Sequence, residues 1–481
     1  MKENGLREKV VSGMIWRFAE RICVQLLSFI ISLILARMLA PELYGTVSLV
    51  LVFINLANVL VNNGLGEACV QQKDSGEKEF STVFYCSVIF ATLLYLLLFF
   101  MAKPIASFYR NSSLCMIIRI LSLQIPLSSI KTIQQAYVTK HMLFRKFFFS
   151  TLGGTIISGI IGIVMAFRGY GVWALVAQQL INSFIDMMVL FITVPWRPKL
   201  IFEFETAKRL IGYGWKITTS SFLSELYTQL RSLVIGRKYS TSDLAYYNKG
   251  DQFSSLAISN LNTAISSVLF PAMSSVNDDA ARLKQITRKS IQVSSYVIFP
   301  VMFGIFSVAD SLIKILLTDI WLPCVPYLRL CCIYWMFQPI QTANIQAIKA
   351  IGRSDICLKL EVIKKIVGFM ILFFSMRYGV FIIVFSNTLY AFISTVINII
   401  PNKKLISYGY REQLVDIFPS LALSIIMTVI VMSLHKLGWN TYIELCVQII
   451  VGVLVYIGGS IITRNQSFNY VMVIVKNKIV G

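Results

Sequence analysis

The chain has 481 residues, 56% hydrophobic and 14% charged, with a net charge of +21. Soluble domains carry about 25% charged residues, so so large a surplus of apolar side chains needs lipid to face and excludes a soluble protein. In a soluble chain the basic excess would point to nucleic acid. Here the enrichment of cytoplasmic loops in Lys and Arg accounts for it first, and no nucleic-acid partner is expected.

The opening MKENGLREKV is polar. The apolar run after it is too long for a signal peptide and lacks a small-residue cleavage site, so it is expected to stay as the first span. Apolar runs of bilayer-crossing length then recur to the end of the chain. Fourteen spans are expected, near 14–36, 45–66, 82–107, 114–136, 148–167, 171–194, 213–235, 252–274, 290–317, 325–348, 356–376, 379–400, 414–434 and 441–462. Twelve is the rival count, because the fourth, seventh and eighth are unusually polar. With the N-terminus in the cytoplasm, 27 basic residues fall in cytoplasmic segments and the adjoining ends of spans, and 9 in external loops and their adjoining ends. That bias sets the orientation, with both termini inside.

The longest loop, around 195–212, is too short for a catalytic domain. The chain has no GxxxxGK[ST] phosphate loop, and NDD at Asn277–Asp279 reads as a polar turn. Nine scattered Cys form no CxxC pair and read as small apolar filler. His141 and His435 are the only histidines. No enzyme, metal site or bound cofactor is expected.

An internal repeat is visible at an offset of about 200 residues. Trp16-Arg17 matches Trp215-Lys216, ILAR ending at Arg37 matches VIGR ending at Arg237, and ELYG at 42–45 matches DLAYY at 243–247. Arg119 before LSLQIP parallels Arg329 before CIYWMFQP, and each run then meets a proline, Pro126 or Pro339. Six spans separate the copies, so the repeat is parallel, as in transporters whose site lies between two halves. The expected domains are an N-terminal lobe at 1–196, a C-terminal lobe at 197–402, and two further spans with a tail at 403–481.

On the first helix Arg17, Arg21, Gln25, Ser28 and Ser32 share one face. The same positions of the seventh expected span read Lys216, Ser220, Ser224, Tyr227 and Arg231. A charge at the bilayer centre costs roughly 2.5–3.5 kcal/mol on insertion scales, so these stripes are expected to line a water-filled cavity between the halves. Lys131, Asn55, Asn58, Asn62, Gln124, Ser128, Gln338, Gln341 and Asn344 extend the polar lining. Arg forks suit phosphate, and amides and hydroxyls suit sugars. The competing readings are snorkelling of Arg17 and Arg21, a local pair of Glu20 with Arg17, and amide stripes acting as interhelical glue. Asp310 and Lys314, spaced i,i+4, are expected to pair.

ILARMLAPELYGTVSLV, following GMIWRFAERICVQLLSFIISL, resembles the N-terminal signature of polysaccharide transporters of the multidrug/oligosaccharidyl-lipid/polysaccharide exporter superfamily. It is similar more narrowly to Wzx-type O-antigen and colanic-acid-type flippases of bacteria. GLGEACVQQKD, YYNKGDQFSSL and QAIKAIGRSD carry the same resemblance. It covers essentially the whole chain and is not specific to a glycan.

The resemblance implies two six-helix lobes around a cationic cavity in a protein of the bacterial inner membrane. The implied cargo is an undecaprenyl-pyrophosphate-linked oligosaccharide, moved by alternating access and driven by a proton or sodium gradient. It leaves open a complex with the polymerase and chain-length regulator of the same pathway. Lipid II flippases of the superfamily set basic residues of the first helix on the pyrophosphate, which by position on the helix corresponds to Arg17 and Arg21. Lys216 and Arg231 complete the expected anion contacts. Glu20, Glu67, Asp186 and Glu225 are candidates for ion coupling, with nothing in the sequence to rank them. The rival functions are a cation-coupled drug exporter, whose cavity would favour acids, and a repeat-unit polymerase, which would need a large external loop.

Overall fold

The structure, a computed structural model, describes residues 2–62, 76–435, 438–470 and 472. Among the side chains it describes those from residue 12 onward, except 14, 211, 213, 216, 217, 264 and 268. The described chain is all helix and turn, with no strand, as its apolar periodicity predicts.

Among the described residues, twelve helical segments are long and apolar enough to cross a membrane. The two other expected spans are also helices, α8 (Phe204–Lys238) and α14 (Ser354–Ser375). α8 begins nine residues before the expected span, so much of the 195–212 loop is helix. The polar N-terminal tail is likewise helical, as the first part of α1 (Lys2–Met38).

Contacts divide the chain into two compact units, residues 1–245 and 246–481. The first holds α1, α2 (Pro41–Asn62), α3 (Glu77–Phe108), α4 (Ser113–Leu121), α5 (Gln124–Lys140), α6 (Arg145–Phe167), α7 (Val172–Thr193), α8 and the start of α9 (Thr241–Ser274). Between α6 and α7 the sequence supplies small residues every fourth position: Ser150, Gly154, Ser158 and Gly162. Such a stripe lets helix backbones approach closely where lipid removes the hydrophobic drive. A Cβ on Gly154 would sit 3.0 Å from Asn182 Oδ1, and one on Gly162 would sit 3.0 Å from Gln178 Cβ. On the neighbouring face, α1 docks on α6 at Gly159, where a Cβ would come within 2.3 Å of Ile31 Cδ1.

The fourth expected span is broken into α4 and α5 at Ser122 and Leu123. Pro126 has no N–H for the Ser122 carbonyl four residues back. That carbonyl instead accepts from the Ile125 amide at 3.0 Å. Arg119 fastens the α4 half to α3: its Nε donates to the Phe99 carbonyl at 3.4 Å, and its guanidinium lies 4.6 Å from the Phe99 ring centre. The α5 half is fastened to the other part of α3 by Tyr137, edge-on to Phe80 at 5.7 Å.

The second unit holds the rest of α9, then α10 (Ala280–Ser307), α11 (Ala309–Leu316), a 3-10 turn (Asp319–Cys324), α12 (Val325–Trp335), α13 (Gln338–Ala350), α14, α15 (Val380–Leu405), α16 (Tyr410–Leu434) and α17 (Thr441–Ile462). Its tenth expected span breaks in the same way, between α12 and α13 at Met336 and Phe337, just before Pro339. Arg329 repeats the fastening of Arg119. Its Nε donates to the Phe306 carbonyl of α10 at 3.2 Å, and its guanidinium lies 5.5 Å from that ring.

Arg329 also corrects one expectation, because it takes Asp310 at 2.5 Å while Lys314 turns to Asp319 at 3.7 Å. The Asp310–Lys314 pair is therefore not formed. A charge presented by the neighbouring helix wins over an i,i+4 contact worth only a few tenths of a kcal/mol.

Buried polar groups join α16 to its neighbours. Asp416 Oδ1 accepts from Arg288 Nε at 3.0 Å and Nη2 at 2.7 Å and from Gln292 Nε2 at 2.8 Å, all on α10, while Oδ2 accepts from the Tyr408 hydroxyl at 2.9 Å. Asn344 of α13 and Gln413 of α16 exchange amide bonds of 3.1 and 2.9 Å, and Asn402 of α15 donates to Asn344 at 2.7 Å.

Candidate functional site

α1 leaves two faces uncovered. Ile15, Phe18, Leu26, Ile30 and Ile34 are exposed and apolar, as a lipid-facing surface must be. Arg17, Arg21 and Ser28 are also exposed, on a different face, with Gln25 and Ser32 half-buried along it. Residues 17, 21, 25, 28 and 32 thus form a polar stripe that the helix's own unit leaves open.

Within that stripe the charges differ in their surroundings. Arg17 Nη1 binds Glu20 Oε2 at 3.1 Å, and its guanidinium stacks 3.9 Å from the Phe147 ring of α6. Glu20 in turn accepts from Thr151 of α6 at 3.3 Å. The local Arg17–Glu20 pair is therefore present, and it leans on α6. Arg21 is exposed, with no partner among the described residues.

The amide stripes of α2 and α5 largely satisfy one another. Ser128 donates to Asn58 at 2.7 Å, and Thr132 donates to Asn62 at 2.6 Å. These are bonds between helices, worth on average about 0.6 kcal/mol each. Asn55, nearer the start of α2, stays exposed. On α13, Gln341 donates to the Ala391 carbonyl and to Thr395, each at 3.1 Å, while Gln338 is half-buried.

Two residues read separately from the sequence come together. Lys131 of α5 lies 2.5 Å from Asp186 of α7. Ser150 of α6 donates to the other Asp186 oxygen. Asp186 is 3% exposed. No periodicity signals this pairing, since the three residues lie on different helices.

Arg231 of α8 is buried, at 7% exposure, as is Tyr227 one turn before it. Glu225 of the same helix is half-buried and accepts from Gln229 at 2.7 Å. Glu67 and the side chain of Lys216 lie outside the described residues.

A second feature escaped the sequence reading. A groove of about 890 Å³ opens where α1 meets the start of α6, walled by Trp16, Phe144 and Phe149 and carrying Arg145 and Lys146. Arg145 lies over both Trp16 and Phe149, at 5.7 and 5.5 Å.

The family is shown by comparison of sequences. Residues 34–326 match the family model described as polysaccharide biosynthesis protein. The chain belongs to that family. Its relatives in this polysaccharide biosynthesis family include a succinoglycan biosynthesis transport protein of Rhizobium meliloti, 26% identical over 63% of this chain and 62% of the relative. The match thus spans less than two thirds of that relative's length. A teichuronic acid biosynthesis protein of Bacillus subtilis is 22% identical over 94% of this chain and 95% of its own. The lipopolysaccharide biosynthesis protein WzxC of Escherichia coli is 24% identical over 75% of this chain and 73% of its own.

Among solved structures, the lipid II flippase MurJ in an inward closed conformation superposes with a TM-score of 0.76 at 16% identity, covering 94% of this chain and 99% of that one. An inward-facing multidrug transporter of the MOP superfamily gives 0.62 at 14% identity, covering 80% and 94%. At such identities these likenesses establish the fold: this polysaccharide biosynthesis protein is a multi-pass membrane protein with the architecture of that superfamily.

Proposed function

We propose that this protein carries undecaprenyl-pyrophosphate-linked oligosaccharide repeat units across the bacterial inner membrane, without covalent chemistry, for assembly of a surface polysaccharide. Both termini lie in the cytoplasm, and a proton or sodium gradient drives alternating access. The observation that carries the reading is the open polar stripe of α1, with Arg17 and Arg21 on a face distinct from the apolar one. An exposed polar stripe on a spanning helix needs water beside it, and guanidinium groups on it suit a diphosphate.

Arg17, Arg21, Lys216, Arg231 and Lys131 supply anion contacts, and Gln25, Asn55 and Gln338 supply hydrogen bonds to sugars. The polyprenyl tail stays in lipid, and the product passes to the polymerase and chain-length regulator of the pathway. Family membership supports the polysaccharide part of this reading, and similarity to a succinoglycan biosynthesis transport protein supports transport.

The test is the lipid-linked glycan pool in cells carrying Arg21→Ala or Arg231→Ala at matched membrane levels. Accumulation of undecaprenyl-linked repeat units, with loss of surface polysaccharide, is the expected result. Normal export by both variants would remove the arginines from the site. An unchanged pool on deletion of the whole gene would remove the function.

A further inference from the structure

The buried centre at Asp186 has the composition of an ion site rather than of a helix clasp. Asp186 lies seven residues from the end of α7, Lys131 nine from the end of α5 and Ser150 five from the start of α6. At 1.5 Å per residue these are about 7–14 Å inside the helix ends, well within the spans. Ionisable residues at such depth are expensive and mark ion or substrate paths.

Adhesion does not require the charges. α6 and α7 already meet through Ser150, Gly154, Ser158 and Gly162, and a buried ion pair is often no more stabilising than apolar residues of the same volume.

Two details point to a ligand. The pair is closed on one side and open on the other, with the Asp186 side chain 4% exposed and that of Lys131 29%. The lysine is therefore the member of the pair that solvent reaches. One turn along α7, Asn182 Oδ1 is buried without a hydrogen-bond partner among the described residues. It points at the same spot on α6, since the Gly154 Cβ position is 3.0 Å from Asn182 Oδ1 and 3.5 Å from Asp186 Cβ. Asp186 and Ser150, with Asn182 one turn along, carry hard oxygen donors of the kind that small cations take. Of the neighbouring charges, Lys146 is taken by the Thr193 carbonyl and Glu20 by Arg17. Lys131 is the one charged side chain paired with Asp186 among the described residues.

We infer that Asp186, with Ser150 and Asn182, is the cation-exchange site of the transport cycle, where Lys131 and a monovalent cation from solution neutralise the carboxylate in turn. The inference rests on the transporter reading above and singles out Asp186 from Glu20, Glu67 and Glu225.

The experiment uses the purified full-length protein in detergent. The thermal unfolding midpoint is followed against sodium chloride, with choline chloride as control, and in a second series against pH at fixed sodium. A cation bound only by the folded state raises the midpoint with concentration. The wild type is expected to respond to sodium or to protons, and the series that responds names the cation. Lys131→Gln removes the internal competitor, so the half-effect concentration falls about tenfold or more, the scale of one neighbouring opposite charge. Asp186→Asn abolishes the response, and Ser150→Ala, which keeps the ion pair, raises the half-effect concentration.

A structural pair predicts something else: Lys131→Gln and Asp186→Asn destabilise alike and leave the cation response of the wild type unchanged. That result, or a wild type that answers to neither ion, overturns the inference. Should Asp186→Asn fail to fold, Lys131→Gln and Ser150→Ala still move in opposite directions or refute it. Loss of surface polysaccharide in Arg21→Ala cells is read separately, so the flippase reading can stand while the cation site falls.

Discussion

Asp416→Ala tests whether the α10–α16 contact is held by the buried carboxylate. Four hydrogen bonds converge on it, from Arg288, Gln292 and Tyr408. Breaking a fully buried pair costs about 3–5 kcal/mol through the stranded partner charge. Here the Arg288 side chain is 47% exposed against 2% for Asp416, so the arginine finds water and most of that penalty disappears. Tyr408 is 0% exposed, and its stranded hydroxyl costs about 1–3 kcal/mol. With the Gln292 amide also released, the expected loss is about 2–4 kcal/mol. The assay is denaturant unfolding of the purified protein in micelles, with Tyr408→Phe as partner in a double-mutant cycle. In the Tyr408→Phe background Asp416→Ala should cost at least about 1 kcal/mol less, because no hydroxyl is left to strand. Strict additivity of the two substitutions would refute the reasoning.

Gly159→Val should lower the yield of folded protein sharply, because its side chain overlaps Ile31. Gly159→Ala should be rescued by Ile31→Ala in a thermal-stability assay. In a cysteine-free background, Arg21→Cys should react with a membrane-impermeant maleimide in purified protein, while Leu26→Cys on the apolar face and Ile31→Cys at the α6 contact should not; equal labelling of all three would dissolve the two-faced picture of α1. Arg119→Leu and Arg329→Leu should each destabilise the protein, by about 1–3 kcal/mol for a lost charged hydrogen bond, and limited proteolysis should detect both.

The helices were legible because apolar runs of span length leave little choice in lipid, where every backbone group must be paired within the segment. The breaks before Pro126 and Pro339 were not expected, because in the sequence the prolines stand out only as marks of the repeat inside continuous spans. The use of the matched arginines was not legible either, since it depends on which upstream phenylalanine the turn of α3 or α10 presents. Local pairing rules worked for Arg17 with Glu20 and failed for Asp310 with Lys314, because the second pair had a stronger rival on another helix. The meeting of Lys131 with Asp186 lies beyond any periodicity, as the two are brought together only when α5 and α7 have packed.

The broken spans look like natural places for the protein to bend, but their fastenings argue otherwise. α3 runs unbroken beside α4 and α5, holding one half through Phe99 and the other through Phe80. It acts as a splint across a fracture. The gap at Ser122 and Leu123 therefore interrupts the helix without giving it a joint. A load on one half of the broken span is passed to the other through α3, so these three helices act as one lever.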